Sequence, residues 1–555
     1  MGHGKGRVPF KKREGTDMLK GIGVSQGYGI GRAVIIGDIS TDYSNVKYTD
    51  AESEKARLQN AVDSFIEETR RLASDIKETV GEKEAEILEG HIVMLSDPFM
   101  ISQMQDNIDS GSVAEKAVDT VCNMFIDMFS SVDDELTNQR ASDVKDIRDS
   151  LLKALLGVKS IDISSVPENS ILVAKDFTPS MTSQINKNNV SAIITEVGGV
   201  TSHSAILARA MGIPAVLSVV NATEIIKDGM QIIADGFKGK VITNPSDSEI
   251  NDYISRQKDF LNEKESLKAY IGRETVTAKG IKKAVYANIG KPEDVQNVLQ
   301  NSGEGIGLFR TEFLFMDRAS EPTEEEQFEA YATVARAMNG KEVIIRTLDI
   351  GGDKDIPYLH IEKEDNPFLG HRAIRYCLDN PELFKKQIKA ILRAAVYGNI
   401  KIMLPLVTCL EEVYDAKELI CECEKELKNS QTEFKSVELG VMIETPSAVL
   451  ISDLLAKEVA FFSIGTNDLT GYTMAVDRGN ANVSRLYDTF QPSVMRAIEM
   501  TIKNAKKAGI PVGMCGEAAA DTRLIPSLIE WGLDEFSVSP GSILQTRKTI
   551  CEYSS

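Results

Sequence analysis

Two groups of residues have the types and spacing that phosphoryl chemistry needs. The first is GGVTSHSAILAR at 198–209, where two glycines and two hydroxyl residues precede His203. The glycines predict a turn after a strand ending at Val197, and Thr201 or Ser202 can cap a helix that begins near His203. A helix N-terminus disfavours imidazolium and favours an attached anion, so His203 is a candidate nucleophile that would carry a phosphoryl group. A capping histidine without chemistry is the alternative interpretation.

The second group follows apolar strands in the C-terminal half of the chain. Its members are Arg310, Arg346, Asp349, Glu444, Asn467, Asp468 and Cys515. Arginine forks suit phosphate and carboxylate oxygens, and the carboxylates of Glu444 and Asp468 can hold Mg2+ together with substrate phosphate. Lys354 in GGDK and Arg478 in AVDRGN lie on loops beyond strands and could complete an anion clamp. We therefore predict a small phosphorylated carboxylate as the ligand.

The strands that would position this second group alternate with helices over residues 275–555. The candidate strands are AVYANIG, GIGLFRTE, VIIRTLDIGG, KIMLPLV, ELGVMIET, AFFSIGTND, IPVGMCGE and EFSVSP. Eight such strands with intervening helices predict a C-terminal (β/α)8 TIM-type barrel. The carboxyl ends of barrel strands meet at one face, which is where active sites of this fold lie.

The half that contains His203 is predicted to be an α/β domain, formed by residues 18–48 and 159–246. Its short apolar strands end in a hairpin, QIIADGFKGKVITN. Residues 49–158 instead form an inserted helical subdomain. One face of a helix is predicted there by apolar and small residues that recur at spacings of four and three: Leu58, Val62, Phe65, Thr69, Leu72 and Ile76. A charged helical linker, 247–274, precedes the barrel, so the fold class is multidomain α/β.

Composition limits the partners. The chain has 555 residues, with 63 Lys and Arg against 83 Asp and Glu and a formal net charge of −20. This balance argues against nucleic acid and anionic membranes and leaves room for a basic protein partner. Apolar runs are too short to insert in a membrane. Residues 1–17 lack a secretory h-region and are expected to form a disordered extension. Seven scattered cysteines favour a reducing cytoplasm.

These motifs resemble those of enzyme I of the bacterial phosphotransferase system, the phosphoenolpyruvate–protein phosphotransferases, from about Met18 to the end. GGVTSHSAILAR is similar to the phosphohistidine motif of that family. GLFRTEFLFMDR, VIIRTLDIGGDK, NPFLG-RAIR, GVMIETPSA, FFSIGTNDLT-YT-AVDRGN and GMCGE are similar to its barrel motifs. Val200, His371 and Gly471 stand where the family usually has Arg, Trp and Gln. None of these departures removes a group with an assigned role.

The resemblance implies a mechanism. His203 would receive the phosphoryl group of phosphoenolpyruvate through Nε2, and Cys515 would protonate the enolate to give pyruvate. Arg310, Arg346, Asn467, Asp468 and Arg478 would bind phosphoenolpyruvate, with Lys354 completing the clamp. Mg2+ would be held by Glu444 and Asp468.

The resemblance also implies partners. The helices at 49–158 would bind the small histidine-containing phosphocarrier protein, in the first step of the sugar phosphotransferase system. The barrel would form a homodimer. A histidine cannot occupy the barrel and meet a protein partner at once, so the phosphohistidine domain is expected to swivel on the linker.

Three alternatives compete with this interpretation. Pyruvate phosphate dikinase and phosphoenolpyruvate synthase share the histidine and the barrel, but they need a large ATP-grasp domain that the helical stretch does not resemble. The nitrogen-related branch of enzyme I carries an N-terminal sensory domain, which 17 residues cannot supply. A non-catalytic relative would be expected to lose the nucleophile, a metal ligand or the acid, and His203, Glu444, Asp468 and Cys515 are all present.

Overall fold

The computed structural model describes the chain in ranges separated by short gaps. The described residues are 17–37, 42–79, 82–131, 135–157, 163–182, 184–199, 202–316, 318, 320–351, 356–359, 361–362, 364–478, 480 and 482–554. Lys354, Val200 and residues 1–16 of the predicted extension lie outside them. The chain divides into two compact units, Met1–Glu263 and Lys264–Ser555.

The first unit contains one eight-stranded mixed sheet. Its strands are β1 (Asp17–Lys20), β2 (Ile22–Ser25), β3 (Tyr28–Ile36), β4 (Ser170–Ala174), β5 (Val190–Thr195), β6 (Ala215–Leu217), β7 (Gln231–Asp235) and β8 (Lys240–Thr243). They pair in the order β1–β8–β7–β3–β4–β5–β6–β2, and the run from β3 to β6 is parallel. The predicted hairpin is confirmed, because β7 pairs antiparallel with β8.

The sheet is buried on both faces. Ile171 and Val173 of β4 belong to one apolar core, and Leu172 and Ala174 belong to the other. Successive side chains of a strand point to opposite faces, so an uninterrupted apolar strand needs a cover on each side.

Nine helices begin in this unit within the described residues, and the last of them extends past its boundary at Glu263. They are α1 (Ala51–Thr79), α2 (Glu82–Leu95), α3 (Pro98–Asp109), α4 (Ala114–Ser130), α5 (Glu135–Leu156), α6 (Pro179–Thr182), α7 (His203–Met211), α8 (Ala222–Ile225) and α9 (Asp247–Leu267). The face predicted for α1 is confirmed over its described side chains, because Leu58, Val62, Phe65, Thr69 and Leu72 are all buried; the side chain of Ile76 lies outside the described part. Most of them pack into a shared core with α3, α4 and α5.

The second unit is a closed barrel of eight parallel strands, which confirms the predicted fold class. The strands are β9 (Ala284–Ile289), β10 (Ile306–Arg310), β11 (Glu342–Arg346), β12 (Asn399–Leu404), β13 (Glu438–Ile443), β14 (Phe461–Gly465), β15 (Val512–Cys515) and β16 (Glu535–Val538). Each strand pairs in parallel with the next, and β16 pairs with β9.

Helices surround these strands. They are α10 (Val295–Gln300), α11 (Glu324–Met338), α12 (Ile374–Asp379), α13 (Pro381–Ala394), α14 (Leu410–Asn429), α15 (Pro446–Leu450), α16 (Ser452–Leu455), α17 (Thr466–Met474), α18 (Pro492–Ala508), α19 (Ile525–Trp531) and α20 (Ile543–Glu552). Throughout the described part of the chain, no helix combines the length and apolarity needed to cross a membrane.

Candidate active site

The predicted second group of residues meets at the carboxyl ends of the barrel strands. Arg310 ends β10, Arg346 ends β11 and Cys515 ends β15. Glu444 follows β13 directly, and Asp468 lies in the first turn of α17, which begins where β14 ends. Because the barrel is closed and parallel, these strand ends share one face, which we call the barrel mouth. Side chains from distant parts of the sequence can converge there.

A chain of largely buried ion pairs connects residues at or just beyond the ends of three strands, β10, β11 and β14. Arg346 Nη2 lies 2.7 Å from Glu312 Oε1, and Arg346 Nη1 lies 2.9 Å from Asp349 Oδ2. Arg372 Nη2 lies 2.8 Å from Asp349 Oδ1 and 3.5 Å from Asp468 Oδ2. Burial alone would lower the pKa of Arg346, but the neighbouring carboxylates outweigh it and raise this pKa above its ordinary value. Both guanidinium groups therefore stay charged.

Some donors of these two arginines have no hydrogen-bond partner among the described residues. They are Nε of Arg346 and both Nε and Nη1 of Arg372. The arginines are only 8 % and 5 % exposed, so each open N–H lacks full contact with water. Buried cationic donors without partners are costly, and an anionic ligand would satisfy them. The arrangement is thus suited to phosphate or carboxylate oxygens.

Sequence reasoning missed Arg372 as a site residue, because it lies in the loop before α12 and not at a strand end. Its guanidinium carbon lies 5.6 Å from the ring centroid of Phe368, whose carbonyl accepts a hydrogen bond from the Tyr472 hydroxyl. A Cβ on Gly351 would lie 2.4 Å from the Cβ of Arg372. The glycine pair in GGDK was the available signal, since glycine can mark a close approach between two segments.

Three carboxylates lie close enough to repel one another. Glu444 is buried, and its Oε1 accepts a hydrogen bond of 2.7 Å from the backbone N–H of Leu406. Burial raises the pKa of Glu444 to about 8, helped by the charges of Asp468 and Asp349 and opposed by Arg346. A divalent cation would relieve this repulsion.

The donor set for such a cation is small. Across the described ranges, no group of three or more His, Cys, Asp or Glu residues could hold a metal ion. A cation at this mouth would therefore depend on two carboxylates together with oxygens of the ligand, as Mg2+ commonly does.

Cys515 is a buried thiol at the same mouth. Burial and the charge of Glu444 raise its pKa to about 12, although Ser463, Arg346 and Arg310 act in the opposite direction. Its Sγ lies 3.6 Å from the carbonyl oxygen of Ile464. At neutral pH the side chain is a protonated thiol, which can donate a proton but is a poor nucleophile.

The remaining residues predicted to bind the substrate differ in burial and in hydrogen bonding. Asn467 Oδ1 accepts a 3.3 Å hydrogen bond from the backbone N–H of Glu517. Arg310 is half-buried, whereas Arg478 is exposed in the loop after α17, where its charge partly offsets the effect of burial on the pKa of Tyr487. Lys354 lies outside the described residues.

The helix predicted to begin near His203 is α7, which begins at that residue. Its N-cap is Ser202, whose Oγ accepts a hydrogen bond from the backbone N–H of Ala205 at 3.4 Å. Thr201, the other predicted cap, lies outside the described residues. The preceding strand ends at Thr195 and not at Val197, and the Thr195 hydroxyl donates a hydrogen bond to the Val197 carbonyl.

His371 supports the loop that carries Arg372. Its backbone N–H lies 3.0 Å from both carboxylate oxygens of Glu364, and its Nε2 lies 2.9 Å from Asp379 Oδ2. The side chain is 42 % exposed, so this histidine stabilises the loop from its solvent-facing side.

Models of known families match three parts of the chain. They are described as the N-terminal part (residues 20–140), the mobile domain (166–239) and the PEP-binding domain (264–554) of PEP-utilising enzymes. The barrel mouth agrees with this description. It combines three carboxylates and a protonated thiol with arginine N–H groups that have no hydrogen-bond partner among the described residues. The chain is thus of the phosphoenolpyruvate-utilising class.

Full-length relatives narrow the class to one family. Proteins named phosphoenolpyruvate-protein phosphotransferase from Priestia megaterium and Bacillus subtilis are each 44 % identical to this chain, covering 97 % of it and 94 % of their own length. The protein of that name from Staphylococcus carnosus is 44 % identical over 96 % of the chain and 93 % of its own length.

The chain therefore belongs to the phosphoenolpyruvate-protein phosphotransferase family, enzymes that transfer a phosphoryl group from phosphoenolpyruvate to protein. A solution structure of an enzyme I protein matches 44 % of this chain and 99 % of its own, with 33 % identity and a TM-score of 0.39.

Proposed function

We propose that the chain takes the phosphoryl group of phosphoenolpyruvate onto His203, releases pyruvate, and passes the group to a small histidine-containing phosphocarrier protein. This would be the first step of the sugar phosphotransferase system. The observation that carries the proposal is the barrel mouth, where buried arginine N–H groups without hydrogen-bond partners among the described residues lie beside three carboxylates and a protonated thiol.

Phosphoenolpyruvate would bind through its two anionic ends. Arg346 and Arg372 offer the open N–H groups, and Arg310 adds a third positive charge at the neighbouring strand end. Asn467, Arg478 and Lys354 are proposed as further ligands. Guanidinium forks that contact the bridging and equatorial oxygens would stabilise the charge that moves onto the enolate as the phosphoryl group departs.

Mg2+ is the cation we propose for the carboxylates of Glu444 and Asp468. Bound there, Mg2+ would neutralise charge on the phosphoryl oxygens. Ionised Glu444 would be favoured when the cation is present, because the repulsion that raises the pKa of Glu444 to about 8 would then be offset.

Cys515 is proposed as the acid that completes pyruvate. The enolate left after phosphoryl transfer needs a proton on its terminal carbon, and a thiol with a pKa of about 12 holds that proton at neutral pH. The thiolate that remains would be stabilised by Arg346 and Arg310 until it is reprotonated.

His203 is proposed as the acceptor because of its place at the first residue of α7. The N-terminus of this helix would favour a neutral imidazole before transfer and an anionic phosphoryl group after it. The proposed domains that position it are 18–48 with 159–246, followed by the linker 247–274 and the barrel 275–555.

The helical subdomain, residues 49–158, is proposed to bind the phosphocarrier. Phe99 of α3 is 57 % exposed and packs against Phe125 of α4, with ring centroids 6.2 Å apart. Met124 and Met128, one turn apart on α4, are also exposed. Exposed apolar side chains of this kind are typical of protein-binding surfaces, and the net charge of −20 suits a basic partner.

We also propose that the barrel forms a homodimer. Leu450 and Leu454, on neighbouring helices of the barrel, are 72 % and 41 % exposed. Such exposed leucines favour a contact with a second copy. Sedimentation equilibrium of the full chain tests this, and a monomer at micromolar concentration would contradict it.

Pyruvate release tests the proposed reaction. The full chain is mixed with excess phosphoenolpyruvate, with Mg2+ or with a chelator, and pyruvate is measured by coupled oxidation of NADH. We expect a burst of about one pyruvate per chain with Mg2+, and continuous release once a histidine phosphocarrier is added. Glu444→Gln should lose the burst while remaining folded. Release without Mg2+, or none from the folded wild type, would contradict the proposal.

A further inference from the structure

A buried polar network lies behind the barrel mouth, and the reaction proposed above does not use it. It consists of the side chains of Gln387 (α13), Thr311 (after β10), Tyr331 and Gln327 (both α11), none more than 1 % exposed. Gln387 Nε2 lies 3.1 Å from Thr311 Oγ1 and 3.2 Å from the Tyr331 hydroxyl. The Tyr331 hydroxyl in turn donates to Gln327 Oε1 at 3.2 Å.

One backbone N–H determines which group donates and which accepts in the hydrogen bonds of Gln387 and Thr311. The backbone N–H of Leu348 lies 2.9 Å from Gln387 Oε1 and can only donate, so the amide oxygen of Gln387 must face it. The amide NH2 then faces Thr311, which accepts. The Thr311 hydroxyl proton is left to donate to the backbone carbonyl of Arg346, 2.8 Å away.

Gln387 thereby holds two segments that carry site residues, the ends of β10 and β11. Thr311 directly follows Arg310, the Arg346 carbonyl belongs to the next strand end, and Leu348 directly precedes Asp349. Past Arg346 the backbone N–H of Thr347 still donates to the Met403 carbonyl of β12 at 3.0 Å, whereas the next N–H, that of Leu348, donates to the Gln387 side chain instead.

Stability alone does not require this network. Burying an amide and a hydroxyl gains little net free energy, since both groups give up water to make their bonds, and apolar side chains of similar volume could fill the space. Apolar side chains, however, cannot form directional hydrogen bonds to the backbone. Polar groups that are all hydrogen-bonded hold the backbone in one arrangement. A site that must position two arginine guanidinium groups needs such a fixed backbone.

We propose that Gln387 is a positioning residue that acts through Thr311 and Leu348. It fixes the strand end from which Arg346 and Asp349 project, and so holds the ion-paired arginines in the geometry that binds phosphoenolpyruvate. The inference rests on the proposed function, since it assumes that these arginines hold the substrate.

The test compares Thr311→Val, Gln387→Leu and Thr311→Ser in the full chain. The valine variant keeps the shape of Thr311 without its hydroxyl, and the serine variant keeps the hydroxyl. With a histidine phosphocarrier present as acceptor, we expect kcat/KM for phosphoenolpyruvate-dependent pyruvate release to fall roughly tenfold to a hundredfold in the first two variants, mainly through KM. Thr311→Ser should recover to within about threefold of wild type.

Ser452→Ala is the matched control. Ser452 is fully buried in the same barrel, donates to the Val449 carbonyl at 2.7 Å and accepts from Asn504 at 2.8 Å, away from the mouth. It should lower Tm by a similar amount and leave kcat/KM unchanged.

Equal loss of kcat/KM in Ser452→Ala and Thr311→Val would overturn the positioning role. So would variants at 311 and 387 that lower Tm but keep wild-type kcat/KM, since that result indicates a structural role only. Absence of pyruvate release by the wild-type chain would instead refute the proposed function, and the inference with it.

Discussion

Arg372 offers the sharpest test of the proposed phosphoenolpyruvate site. Replacing it by lysine keeps the positive charge but removes the planar guanidinium group with its several N–H donors. The guanidinium uses Nη2 for Asp349 at 2.8 Å and leaves Nε and Nη1 without partners among the described residues. A lysine ammonium could keep the ion pair with Asp349 but could not reach two further oxygens in a plane.

The expected loss follows from those open donors. Lysine recovers at most one of the two substrate contacts, so about one charge-assisted hydrogen bond is lost, worth about 1.5–3 kcal/mol. That corresponds to a Kd for phosphoenolpyruvate that is roughly tenfold to 150-fold weaker. Because Asp349 keeps a cationic partner, Tm should change little.

Calorimetric titration of phosphoenolpyruvate with Mg2+ measures this Kd. The titration is made in a His203→Ala background, where no transfer can consume the ligand. Arg336→Lys is the control, since Arg336 lies on the outer helix α11 with its guanidinium carbon 4.1 Å from the ring centroid of Tyr397. A Kd for Arg372→Lys within about threefold of that control would refute the assignment of Arg372 to the clamp.

Three further predictions concern single side chains. His203→Ala should abolish phosphorylation and the pyruvate burst while the barrel keeps its Tm, and a persisting burst would point to another acceptor. Cys515→Ala should slow turnover in steady-state kinetics yet leave the Kd for phosphoenolpyruvate nearly unchanged, so lost binding would argue against a proton donor. Burial, followed by the charge of Glu342, raises the pKa of Glu535 well above its ordinary value. Folded Glu535 then retains a proton that the unfolded chain releases above about pH 4.5, so wild-type stability should fall as pH rises. Glu535→Gln should remove this decline, and parallel Tm profiles between about pH 5 and pH 9 would show that Glu535 does not cause it.

The sequence was sufficient for elements that are defined by periodicity or by apolar runs. The barrel strands are short apolar segments that alternate with helices, and on α1 the residues of the three-and-four repeat whose side chains are described are all buried. Residues at strand ends could be assigned to one site because a parallel barrel gathers those ends whatever the loops do.

Contacts that depend on loop paths could not be predicted. Arg372 reaches Asp349 only because the loop before α12 folds back over Gly351, and no local pattern encodes that path. The raised pKa of Glu444 depends on carboxylates from two other segments. Gln387 sits in an amphipathic helix, where its spacing indicates a buried position but not its partners.

The most direct measurement locates the phosphoryl group. The full chain is incubated with phosphoenolpyruvate and Mg2+, digested under non-acidic conditions and analysed by peptide mass spectrometry. We expect one acid-labile phosphoryl group on His203, dependent on Mg2+ and matched by an equal amount of pyruvate. A folded chain that carries no adduct, or an adduct on a different residue, would contradict the account.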